Sequence, residues 1–149
     1  MIKYEAIFLD EDSIKLIKEL EVNKLARVND EMHLTLKYKP EQNEIFNELI
    51  NKEFELLLIA YGNDGINAGF EVELPDSLKP YYINYDEDKP TKLKIPHITS
   101  SLANDAKAMN TKKLTFNKLP KKYSIKGRFG FWLEDEEGNE ELSFEPYSK

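Results

Sequence analysis

Cysteine is absent from the chain. That excludes a disulfide framework, a thiolate metal site and a covalent Cys nucleophile, and it fits a reducing cytoplasm. Long apolar runs are missing as well. Leu56 to Tyr61 is the longest nearly uncharged stretch, far short of the roughly 20 residues that a membrane-spanning helix needs. The opening MIKYEAIFLD carries an acidic residue inside its short apolar run and no small-residue cleavage site, so secretion is not expected. Positive charge is also in short supply: 21 Lys and Arg stand against 28 Asp and Glu, for a formal net charge of -7. Affinity for a long nucleic acid comes from phosphates neutralised by Lys and Arg, so any anionic substrate is expected to be small or gripped locally.

What is present points to one soluble domain covering residues 1–149. Hydrophobic residues make up 40% of the chain, with eight Phe, eight Tyr and one Trp spread along it, enough for a core at this length. No tandem repeat, low-complexity tract or composition shift marks a boundary. Lys3 to Leu9 reads as a strand running into the capping oxygens of Asp10, Asp12 and Ser13. Ile14, Leu16, Ile17 and Leu20 then have helical spacing. Met32 to Tyr38 alternates with period two, a strand. Pro40 followed by Ile45, Phe46, Leu49 and Ile50 predicts a second helix over about 41–52. Phe54 to Tyr61 and Ile66 to Leu74 flank the turn residues Gly62-Asn63-Asp64-Gly65, a hairpin. Pro75 to Pro96, with four prolines and the acidic run Asp86-Glu87-Asp88, reads as a loop or broken helix. Ile95 to Leu102 alternates again, and Leu114 to Leu119 is a short strand. Ile125 to Leu133 and Glu141 to Phe144 form a terminal hairpin around Glu134 to Asn139.

The chain has two histidines, and each is followed two residues later by threonine inside an alternating segment: His33-Leu34-Thr35 and His97-Ile98-Thr99. On a strand, residues i and i+2 share a face about 6 to 7 Å apart. Each motif therefore presents an imidazole beside a hydroxyl. An imidazole gives or accepts a proton near neutrality, and a hydroxyl donates to a phosphoryl oxygen. Two such pairs around one phosphodiester supply base, acid and anion clamp for in-line displacement without a metal. Three other readings use the same residues: half-exposed polar positions on two strands, a metal site completed by a carboxylate, and a cleft that binds a cyclic nucleotide without turning it over. No HExxH or tight ligand spacing supports the metal, and neither metal nor cofactor is expected.

The segments HLTL at His33 and HITS at His97, 64 residues apart, resemble the signature of the 2H phosphoesterase superfamily, two His-hydrophobic-Thr/Ser motifs on separate strands. The order of elements is similar over nearly the whole chain, with Ser100 standing where an apolar residue is more usual. The resemblance implies an α+β fold of two pseudo-symmetric lobes of antiparallel sheet flanked by helices, with a central cleft. It also implies hydrolysis or transfer at a nucleotide phosphodiester: a 2',3'-cyclic phosphate, a 2',5'-linked oligonucleotide or a cyclic oligonucleotide. His33 and His97 would share acid and base duties, and Thr35 and Thr99 would hold the phosphoryl oxygens. Four further residues are candidates for substrate contact. Tyr38 could stack on a base. Lys37 is expected on the face of His33. Arg128, one of two arginines, could grip a phosphate through both guanidinium edges, and Tyr61 before its turn could approach the ligand.

Overall fold

The computed structural model describes residues 1–82, 85–86, 89–93 and 95–148, and of 85–86 and 89–93 the backbone alone. The chain opens with β1 (Ile2–Leu9) and α1 (Glu11–Leu20). Asp10 caps the helix, its carboxylate accepting the Ser13 N–H at 2.8 Å, which satisfies one donor of the open first turn. Ile17 is fully buried, and Ile14, Leu16 and Leu20 pack beside it. β2 (Arg27–Val28) and β3 (His33–Tyr38) follow, then β4 (Glu53–Asn63) and β5 (Asn67–Glu73). β6 (Tyr85–Asp86) and β7 (Lys89–Leu93) pair with each other in a separate two-stranded sheet. β8 (His97–Leu102), β9 (Asn117–Glu134) and β10 (Glu140–Ser143) complete the chain.

Eight strands form one antiparallel sheet in the order β2-β8-β5-β4-β9-β1-β3, with β10 on β9. The sheet is not closed, and with few helices beside it the architecture is α+β. The long β9 pairs with β4 over its first part and with β1 over its second. One face carries the core: Ile7, Leu34, Leu56, Leu58, Phe70, Ile98 and Phe129 are each at most 1% exposed. No helix among the described residues is long and apolar enough to cross a membrane.

Three expectations need correction. The helix over 41–52 is instead two 3₁₀ turns, Gln42–Glu44 and Asn47–Leu49. Between them the Phe46 N–H donates to the Glu5 carboxylate at 3.0 Å, a partner outside the helix, and Asn51 ends the segment with φ 69°. The short strand at Leu114–Leu119 and the strand at Ile125–Leu133 merge into β9, and Leu114 precedes it at the end of a 3₁₀ stretch, Ala108–Lys113. Within the proline-rich segment, Lys79–Tyr81 is a 3₁₀ turn and β6 pairs with β7 where a loop or broken helix is expected. The part of that expectation on residues 83–84, 87–88 and 94, including Glu87 and Asp88 of the acidic run, lies outside the described residues.

Candidate functional site

Residues paired across antiparallel strands point to the same face, so the register can be followed from one end of the sheet to the other. His33 is opposite Phe8, Phe8 opposite Arg128, and Arg128 opposite Glu53. Thr35 is opposite Ala6, and Ala6 opposite Gly130. On the far side, His97 is opposite Glu71 and Thr99 opposite Gly69, which is opposite Gly62. Carried through β5, β4, β9 and β1, this pairing puts all four motif residues on one face, away from the core. The two motif strands lie near opposite ends of the sheet, yet Cα atoms of β3 and β8 come within 8 Å of one another. Asn29, just after β2, extends the pairing with β8: its N–H donates to the Ser100 carbonyl at 2.9 Å and its side-chain amide to the Thr99 carbonyl at 3.0 Å.

Each imidazole is held by its Nδ1. For His33 the partner is the Glu31 carboxylate, at 3.0 Å. For His97 it is the Ile95 carbonyl, at 2.7 Å. A carbonyl and an ionised carboxylate only accept, so Nδ1 carries the hydrogen in both rings and proton exchange falls to Nε2. The His33 ring also stacks on Tyr4, centroids 4.7 Å apart, and lies against Phe8 at 5.6 Å. Tyr4 continues the stack onto Trp132, the rings nearly parallel with centroids 6.0 Å apart. Burial pushes the Tyr4 hydroxyl above its ordinary value, and the Glu31 and Glu140 carboxylates push the same way, so Tyr4 is a neutral wall to the site.

Thr99 is tied into a buried network. Its hydroxyl donates to Thr111 Oγ1 at 2.9 Å, and the Asn67 amide donates to the same oxygen at 3.1 Å. Thr111 is fully buried and Asn67 is 1% exposed. Gly69 makes room for this: a Cβ there would sit 2.7 Å from the Thr111 methyl and 2.6 Å from the Ile98 carbonyl.

The same local geometry occurs at both motifs. In β3 the register jumps from Thr35 opposite Ala6 to Lys37 opposite Glu5, so Leu36 is an extra residue. In β8 it jumps from Thr99 opposite Gly69 to Ser101 opposite Ala68, so Ser100 is extra. Each motif threonine is thus followed by a β-bulge, a device that bends a strand and re-aims its side chains. In each case the threonine faces a small residue and then a glycine. Gly130 is covered by the Phe144 ring, 2.9 Å from where a Cβ would be, and Gly62 by the Thr115 carbonyl at 2.7 Å.

The bulge corrects the expectation for Lys37, which lies opposite Glu5 on the core side with its ammonium 3.5 Å from the Glu44 carboxylate. Tyr38, 55% exposed, moves to the motif face opposite Tyr4. Arg128 is on that face too, in the row of His33, its guanidinium 4.2 Å from the Phe144 ring centre. Tyr61 is not: it pairs with Phe70 on the core side, and its hydroxyl donates to Glu21 at 2.6 Å. Ser100, itself fully buried, donates to the same buried carboxylate at 2.8 Å, so its hydroxyl is satisfied in the core. Glu31, Asn29, Asn67 and Thr111 were missed in the sequence. Only Glu31 offered a local signal, a carboxylate two residues before a histidine.

Two cavities, of about 300 Å³ beside Met1, Glu134 and Asn139 and about 220 Å³ beside Ile2, Pro40 and Tyr147, are lined by neither histidine. No group of three or more His, Asp or Glu among the described residues is arranged to hold a metal ion. No protein-family model matches the sequence, and no curated protein matches it.

Proposed function

We propose that the chain is a metal-independent phosphodiesterase of the 2H type, acting on a nucleotide phosphodiester in a cleft between two pseudo-symmetric lobes. The observation that carries this reading is the convergence of both His-x-Thr motifs on one face, on strands within 8 Å of one another. The repeated bulge after each threonine supports the two-lobe description. In the proposed reaction one imidazole takes a proton from water through Nε2 as the water oxygen bonds to phosphorus. The other imidazole, protonated, delivers a proton to the ribose oxygen as its P–O bond breaks. The Thr35 and Thr99 hydroxyls donate to the non-bridging oxygens. Arg128 and Tyr38 on the same face would meet the rest of the nucleotide, whereas Lys37 and Tyr61 have no part in it.

The test is incubation in EDTA with 2',3'-cyclic mononucleotides, 2',5'-linked oligoadenylates and cyclic di- and trinucleotides, beside the His33→Ala, His97→Ala double variant, with products resolved by chromatography. Turnover by the unmodified chain alone supports the proposal and names the substrate. Stoichiometric binding without turnover would replace it with a cyclic-nucleotide-binding module.

A further inference from the structure

Thr111 Oγ1 receives two hydrogen bonds, from Asn67 and from Thr99. The orientation of the first is fixed. Asn67 Nδ2 also donates to the Lys107 carbonyl at 2.8 Å, and a carbonyl only accepts, so the NH₂ group and not the amide oxygen faces Thr111. The second is between two hydroxyls, and a hydroxyl proton rotates to suit its partners. Both Asn67 and Thr111 are buried, so the network is shielded from water and each bond in it is correspondingly strong. Thr99 lies at its open end, half-buried on the motif face.

We infer that Thr111, held by Asn67, is a positioning residue that releases the Thr99 proton to a bound phosphoryl oxygen. In the empty site Thr99 donates to Thr111. When an anion arrives, the Thr99 proton turns to it and the Thr111 hydroxyl turns to donate to Thr99 Oγ1. The result is an unbroken chain from the Asn67 amide through two hydroxyls to the anion, in which every bond polarises the next. No covalent bond changes and no proton is transferred. Gly69 belongs to the same device, because any side chain there collides with the Thr111 methyl. Thr35 has no equivalent among the described hydrogen bonds, so the device distinguishes the second motif from the first. The inference rests on the proposed function for its ligand class, a tetrahedral phosphoryl anion.

The experiment is titration of the chain with inorganic phosphate, followed by ¹H–¹⁵N NMR at Thr99. Thr111→Val is expected to weaken binding about threefold, the scale of a neutral hydroxyl–hydroxyl bond that strengthens when an anion ends the chain, and Thr111→Ser to restore it nearly fully. In a Thr99→Val background, Thr111→Val is expected to add less than about twofold, because its effect passes through Thr99. Unchanged affinity in Thr111→Val, equal weakening in the Thr99→Val background, or no phosphate response at Thr99 would each overturn the inference. Should Thr111→Val not fold, the unmodified chain decides: the Thr111 methyl resonance must shift with the same midpoint as the Thr99 amide. Phosphate binding that depends on Thr111, in a chain that turns over no phosphodiester, would retain this inference while the phosphodiesterase reading fails.

Discussion

Replacing Glu5 by Gln should shift stability in the variant's favour as pH rises. Glu5 is in the middle of β1, fully buried. One carboxyl oxygen accepts the Phe46 N–H and the other has no hydrogen-bond partner. Burial raises its pKa from 4.5 to about 7; the Phe46 N–H opposes this, the Glu44 and Glu48 carboxylates add to it, and Lys37 opposes it. The folded chain therefore favours the neutral acid. The stability this confers is complete below pH 4.5, is lost as pH rises through about 7, and changes no further above that. At about 1.4 kcal/mol per pH unit over that interval, the loss is about 3 kcal/mol, a large part of a total of roughly 5–15 kcal/mol. Glu5→Gln has no proton to lose, so the gap between the variant and the unmodified chain should open between pH 4.5 and 8 by about 3 kcal/mol in favour of the variant. Urea denaturation followed by circular dichroism at fixed ionic strength measures it. A gap that is constant with pH, or that opens the other way, would refute the reasoning.

Gly69→Ala should cost about 1–3 kcal/mol of stability, since its Cβ meets backbone as well as the Thr111 methyl, and thermal unfolding would register it. Tyr61→Phe should cost about 1–3 kcal/mol by leaving the buried Glu21 with one fewer donor, yet leave turnover intact; a large fall in turnover would return Tyr61 to the substrate face. Glu31→Gln keeps an acceptor for His33 but removes its charge, and turnover should fall about tenfold with the melting temperature unchanged. Rate against pH should be bell-shaped, because one imidazole must be neutral while the other is protonated; a flat profile from about pH 5 to 9 would count against the pair.

The strands that alternate were legible because one face of each is buried: Leu34, Ile98 and Phe70 point to the core and their neighbours do not. The cap at Asp10 was legible for a local reason as well, since its partner Ser13 is three residues away. Legibility ended where the partner was distant. The helix at 41–52 failed because the Phe46 N–H is taken by Glu5, 41 residues earlier. Lys37 was placed on the wrong face because a bulge is a property of two paired strands and leaves no mark in one. At the candidate site both histidines and both threonines stood out by type and spacing. The network behind Thr99 did not, because Thr111 is 44 residues from Asn67 and only the fold brings them together.

The central claim is that two histidines act on one phosphodiester. It is tested most directly by measuring turnover of the cyclic and 2',5'-linked nucleotide substrates in EDTA by the unmodified chain, His33→Ala and His97→Ala side by side. The account predicts that each single variant loses at least about a hundredfold, the low end for removing a general acid or base, with both variants folded by circular dichroism. Full turnover in either variant would contradict it.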